Sequence, residues 1–377
     1  MSEYQRVAFR AIDGPVSKVN LSYMERQSSR AEITPWSFDN EYNYGDFRGN
    51  APEMLRRGYD LHVHYANFGT RSLFIRFPHG LPNAKSAEPY FIKDSLKFIK
   101  DKLGPGRILC IDPFYESDEL DELWEFDDII DRLIPLRAEI LDGDLRPLYL
   151  AHLAMAVDSN HDPEETREGP NPVGLGELSD AQRALCEFYG LDDSLIAAAA
   201  EGSPSRPKHD DPRNQHASWI ASQSAATKDA WLVELLSDPH STVKSEILAK
   251  FNKGRHAPAW PTVERSRTIS ELRSAADELE QKADLKAAEK SARERAKRLA
   301  RMAADPQTFL RETEQLVAER SQQSYRQIGK LLVELREALA GTAQSGLAEK
   351  HAQKLKKENP TLRMLAAELR REGLLAK

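Results

Sequence analysis

The sequence predicts an α+β protein: an antiparallel-sheet N-terminal domain with helices, followed by an all-α C-terminal region with one long basic helix and a small helical module. Three observations predict it. Residues 1–200 hold short runs of alternating apolar and polar residues joined by tight turns, which make hairpins rather than the strand–helix–strand units of a parallel sheet. From residue 268 onward the apolar period is helical almost throughout. Charge divides along the same line. Residues 1–200 carry 21 Lys and Arg against 35 Asp and Glu, a balance of −14, while residues 252–377 carry 26 against 18, a balance of +8, within an overall −7.

In chain order, Val7, Phe9 and Ala11 alternate with Arg6, Ala8 and Arg10 in a half-buried strand that Gly14-Pro15 breaks. Val16–Gln27 is a short helix with Val16, Val19 or Asn20, Tyr23 and Met24 on its inner side. Ala31–Asn40 is a strand interrupted at Pro35, which suits a sheet edge or a bulge. Pro52–Arg57 is a helical turn opened by proline. Asp60–Asn67 and Ser72–Phe77 make a hairpin around Gly69-Thr70, and Ser95–Lys100 and Arg107–Ile111 make a second around Gly104-Pro105-Gly106. The period turns helical from Ser117. Ile129, Ile130, Leu133, Leu136, Ile140 and Leu141 give one apolar face with a break at Pro135. Leu145–Val157 is apolar on all sides, hence a buried helix. Ser179–Tyr189, capped by Ser179, and Ser194–Ala200 are two further short helices.

These elements make an α+β domain over 1–201. The proline-rich, almost wholly polar stretch after Glu201 makes 202–215 a linker. Trp219, Trp231, Leu232, Leu235, Leu236, Val243, Ile247, Leu248 and Phe251 make 216–253 a helical pair, and Pro258 and Pro261 make 254–267 a second linker. Residues 268–304 form the long charged helix. Lys286 and Lys290 fall where a coiled coil wants Leu or Ile, so propensity and pairs three or four residues apart must hold it. Residues 305–377 form a helical bundle or solenoid-like module, with apolar faces at Phe309, Thr313, Leu316 and Val317, at Ile328, Leu331, Leu332, Leu335 and Leu339, at Leu347, His351 and Leu355, and at Leu362, Leu365, Leu369 and Leu374.

Composition narrows the function classes. No stretch approaches the roughly 18 apolar residues of a membrane span, and Met1–Arg6 lack the basic and apolar regions of a secretory signal. The two cysteines, Cys110 and Cys186, cannot form an all-cysteine zinc site or a disulfide framework. They are expected as buried, reduced thiols in a cytoplasmic protein. There is no Walker loop, no Gly-x-Ser-x-Gly elbow, no His-Glu-x-x-His and no zinc-finger spacing, and no cofactor is expected.

Three features could carry chemistry. His62-Val63-His64 lies on a strand, so alternation puts both imidazoles on one sheet face with Asp60; two imidazoles and a carboxylate could hold zinc or iron. The acidic run Glu116–Asp131 includes Asp127, Asp128 and Asp131, which could chelate a divalent cation or simply load a helix N-terminus. Arg71 and Arg76 could bind an anion or pair with the acids of 118–128. The partner feature is basic. Lys282–Arg301 contains Lys286, Lys290, Arg293, Lys297 and Arg301, which could contact a partner or phosphates without base stacking, since no aromatic residue interleaves them.

Ser28–Pro35, Tyr42–Gly49 and His62–Arg71 resemble an uncharacterised family of bacterial cytoplasmic proteins with no assigned activity, so the resemblance implies no catalytic residue. The tail, Tyr325–Leu374, is similar to the helical C-terminal ends of bacterial SWIM zinc-finger proteins. The Cys-x-Cys and Cys-x-His pairs of those proteins are missing, so neither zinc nor the DNA contact it supports is implied.

The expectation is therefore a non-enzymatic interaction or scaffold protein of the bacterial cytoplasm, with another protein as its partner and no membrane contact. The alternatives are a nucleic-acid-associated protein using residues 282–301 against backbone phosphates, and a metal-dependent hydrolase or nuclease using the His62/His64 strand.

Overall fold

A computed structural model describes residues 4–43, 45–81, 84–102, 104–113, 126–157, 161–205, 212–237, 243–252, 259–264 and 267–376. The chain divides into two compact units, Met1–Leu279 and Glu280–Lys377.

The first unit is built on a sheet. Its strands are β1 (Gln5–Arg10), β2 (Glu32–Ile33), β3 (Ser37–Tyr42), β4 (Leu61–Ala66), β5 (Arg71–Phe77), β6 (Leu96–Lys100) and β7 (Arg107–Ile111). Among the described residues these seven form one sheet in the order β2-β3-β1-β4-β5-β7-β6, antiparallel at every pairing. Both expected hairpins are present, with His64 opposite Ser72 and Phe98 opposite Leu109. The expected single strand Ala31–Asn40 is instead a hairpin. Pro35 sits at a reversal in which the Thr34 N–H donates to the Ser37 carbonyl, because a residue without a free N–H cannot continue the ladder. The resulting β2 is an edge strand.

Both sheet faces are covered. On one side Val7, Phe9, Phe38, Phe74, Ile108 and Cys110 pack against α1 (Lys18–Glu25) and α2 (Ala51–Arg56) through Met24, Met54 and Leu55. Of the residues expected on the inner side, Met24 is fully buried whereas Val19 is 81 % exposed. On the other side Leu61, Val63, Tyr65, Leu73, Ile75 and Leu109 meet the larger helical layer. A one-turn α3 (Ala84–Ala87) precedes β6 in the chain. The layer itself holds α4 (Phe126–Leu133), α5 (Leu136–Leu141), α6 (Arg146–Ala156), α7 (Asp180–Tyr189) and α8 (Asp193–Ala200). Pro135 separates α4 from α5 as the sequence predicts, and all eleven residues of α6 are buried. Ser179 caps α7 in a reciprocal pair with Gln182, and Gly190 ends that helix at φ 67°, a conformation that favours glycine.

The middle segment departs from the expected pair. It contains three described helices, α9 (Pro212–Ala221), α10 (Ala225–Ser237) and α11 (Val243–Asn252), with Trp219 stacked 5.9 Å from Trp231 and edge-on to Phe251. Residues 206–211 of the first expected linker, and residues 254–258 and 265–266 of the second, lie outside the described residues. What is described of that second segment belongs to the first unit. Trp260 is buried and its backbone N–H donates to the Gly143 carbonyl, while β9 (Thr262–Val263) pairs with β8 (Asn171–Pro172).

A continuous helix, α12 (Ile269–Ala304), begins in the first unit and runs into the second. Thr268 and Glu271 form its capping pair. Ile269, Leu272 and Ala276 join the first core. In the second unit, Met302 and Leu299 pack with α13 (Pro306–Ala318), α14 (Gln322–Ala338), α15 (Leu347–Glu358) and α16 (Arg363–Arg371). The predicted faces of α14 and α16 are buried; on α13 Leu310 is the buried anchor and Phe309 lies half-buried beside it. A polar contact is built into this core: the Thr313 hydroxyl donates to the Leu310 carbonyl and accepts from His351 Nε2 at 2.8 Å.

Candidate functional site

The strand β4 places His62 and His64 on one sheet face, as alternation requires, but their surroundings differ. His62 is stacked on Phe9 at 4.2 Å and lies edge-on to Phe74 at 5.4 Å. Its Nδ1 is 3.2 Å from the Ala8 carbonyl, which makes Nδ1 the donor. Burial lowers its pKa to about 3, with His64 adding to the effect. His64 Nε2 donates to Gln5 Oε1 at 2.9 Å, and Gln5 Nε2 donates to Asp46 Oδ1 at 2.9 Å. Burial lowers the His64 pKa to about 4 against the pull of Asp46.

Asp60 faces another task. Its Oδ2 accepts from the backbone N–H groups of Ile12 and Asp13 at 2.7 and 2.9 Å. Burial raises its pKa, opposed by the nearby Arg137 guanidinium. The carboxylate thus fixes the bend that leaves β1. Among the described residues no group of three or more His, Cys, Asp and Glu side chains is arranged to hold a metal.

Residues 116–125 of the acidic run lie outside the described residues. Asp127 and Asp128 lie on α4 and are paired separately, Asp127 with Arg6 and Asp128 with Arg132 at 3.5 Å, so they do not converge on one ion. Asp131 is exposed. Arg6, Arg10, Arg30, Asp39, Glu41 and Asp127 line a polar cleft of about 550 Å³, in which Arg10 is held by Asp39. Residues 118–125, most of the acidic stretch that Arg71 and Arg76 were expected to pair with, lie outside the described residues. Arg71 is buried and donates to the Phe188 carbonyl at 2.7 Å, and the carbonyl of Arg76 accepts from Arg137. Cys110 and Cys186 are buried, and burial pushes both thiols up to about 12, which removes the thiolate needed for reactivity.

Sequence reasoning missed two buried ionic networks, because each joins residues far apart in the chain. Arg146 forks onto Asp144 (2.7 Å from Nη2 to Oδ2), donates to the carbonyls of Gly174 and Glu177, and stacks 5.1 Å from the Trp260 ring. Gln182 donates to Asp144 and to Glu139, both at 2.9 Å. In the second network, Tyr149 Oη donates to Glu168 at 2.6 Å and Arg267 completes the carboxylate's shell. Such charges are stable in a core only when every polar atom finds a partner.

The basic residues of α12 are arranged differently. Every residue from 280 to 298 is exposed. At about 100° per residue, Lys286, Lys290, Arg293, Lys297 and Arg301 share an arc of roughly 80°. Leu299 and Met302, which pack into the second core, project on the opposite side. Arg295 and Arg298 lean toward that side and pair with Glu337 and Glu334 of α14 at 2.7 and 2.8 Å. The five cations named from sequence are exposed on the side of the helix away from Leu299 and Met302, and among the described residues none of them enters an ion pair.

No family model, no curated protein and no solved structure matches the chain. No helix among the described residues is long and apolar enough to cross a membrane.

Proposed function

We propose that this chain is a non-enzymatic interaction protein, a scaffold of the bacterial cytoplasm whose second unit engages a macromolecular partner through α12. The observation that carries the reading is the segregation of cations on that helix. Arg295 and Arg298 serve the bundle, while Lys286, Lys290, Arg293, Lys297 and Arg301 remain in water on the far side. A mixed-charge helix held only by its own propensity has no reason to sort its cations this way. The first unit supports the reading by its chemistry: the imidazoles of His62 and His64, the carboxylate of Asp60 and both thiols are occupied in holding the sheet and its helices.

A photo-crosslinking residue at Lys290 tests it in cells. The expected result is a discrete adduct from position 290 that is absent when the same residue replaces the exposed Glu312 on α13. No adduct, or equal adducts from both positions, overturns the proposal.

A further inference from the structure

The outward stripe also constrains what the partner is. We propose that it binds the phosphate backbone of double-stranded nucleic acid without reading its sequence; this rests on the interaction reading above and gives that partner a chemical class. The stripe runs from Lys286 to Arg301, about 22 Å at 1.5 Å per residue, with neighbouring cations about 4.5–6 Å apart along the axis. Cations in such a row diverge along a line and do not enclose a small anion, so the complementary ligand is an extended row of negative charges. A duplex supplies one, with a phosphate every 3.4 Å or so along each strand.

The other faces limit the mode of contact. Asp284 lies on the side opposite the stripe, and Glu289 and Glu294 flank it. A helix seated deep in a groove would carry these carboxylates into the phosphates, whereas a helix lying along one strand keeps them in water. The stretch Lys282–Arg301 has no aromatic side chain, so it offers no stacking platform for single-stranded bases. Base edges are equally out of reach from a backbone-only contact, which makes the binding indifferent to sequence. With a net charge of −7 for the whole chain, attraction is confined to the basic C-terminal region that carries the stripe and is easily screened.

Fluorescence anisotropy of the full chain with two unrelated labelled duplexes of about 24 base pairs tests the proposal. Equal binding of both at low salt is expected. Five phosphate contacts give a log–log salt slope of about −4 to −5, or roughly 500-fold weaker binding at 200 mM than at 50 mM salt. Replacing Lys286, Lys290, Arg293, Lys297 and Arg301 together by Gln, a good helix former, is expected to weaken binding at least about 100-fold with the circular dichroism unchanged. Each single Gln should reduce the slope by about one. No binding at the lowest salt, or binding that survives all five substitutions, overturns the proposal. So does displacement of the duplex by poly-glutamate at equal charge, which would point to an acidic protein. A failed titration beside a protein adduct from position 290 sinks the nucleic-acid assignment and leaves the interaction reading standing; failure of both removes both.

Discussion

Arg267 lies 99 residues from Glu168 in sequence, yet its guanidinium gives that carboxylate hydrogen bonds of 2.6 Å from Nε and 3.0 Å from Nη2. The Glu168 side chain has no exposed surface, and its remaining partner is the Tyr149 hydroxyl. The pair fastens the segment preceding α12 to the first unit. The adjoining Glu168 N–H donates to the Arg267 carbonyl, and the Ile269 N–H donates to the Thr166 carbonyl.

Arg267→Ala should therefore be one of the most damaging single changes in the first unit. It leaves a buried carboxylate without its counter-ion, a loss of about 3–5 kcal/mol. Chemical denaturation measures it, and limited proteolysis should show new cleavage near residues 254–267. The double variant Glu168→Met/Arg267→Met should recover part of the loss, because it removes the stranded charge. A single-variant loss below about 1 kcal/mol would show that the pair is only a surface contact.

The aromatic cage around His62 gives the protein a defined acid sensitivity. The folded-state pKa is depressed to about 3, while the unfolded chain titrates near the ordinary 6.5. The unfolded state therefore binds the extra proton first, and stability falls as pH drops below about 6.5, until about 3. At pH 5 the contribution is about 2 kcal/mol. His62→Phe keeps a ring between Phe9 and Phe74 and removes the titration, so its melting temperature should fall less between pH 7 and pH 5 than that of the parent. Parallel pH profiles for the two proteins would rule this out.

Glu139 works with the opposite sign. Burial raises its pKa from 4.5 to about 7, with the neighbouring Asp144 adding to the shift. The folded state holds the proton more tightly than the unfolded state, so stability declines as pH rises from about 4.5 and levels off above about 7. Glu139→Gln retains an oxygen for the Gln182 amide and should be more stable than the parent at pH 8, on the order of 1–3 kcal/mol, with little difference at pH 4.5. Thermal melts at the two pH values check it.

The sheet and the helices were legible because their signals are local. Gly104-Pro105-Gly106 between two apolar runs specifies a hairpin whatever surrounds it, and the uniform apolarity of Leu145–Val157 specifies burial. The departures come from contacts that no window contains. Trp260 follows Pro258 in a stretch with the composition of a linker, but its place is set by Gly143 and Arg146, more than a hundred residues earlier. Pro35 marks a break in either a bulged strand or a reversal, and only the pairing of Ile33 with Phe38 decides between them. The stripe on α12 was legible in its residues but not in its direction. Its cations became distinguishable from Arg295 and Arg298 only once Leu299 and Met302 had a core to enter.

The complete burial of α6 has a consequence for biosynthesis. Arg146 on this helix meets Trp260, Tyr149 meets Arg267 through Glu168, and the Val157 carbonyl at its end accepts from Arg273. A nascent chain halted before residue 259 has made the helix but not the strap that closes over it. Until about a hundred further residues leave the ribosome, that flank stays open to water and to other chains, so truncation anywhere in this interval should yield aggregates rather than a smaller folded protein.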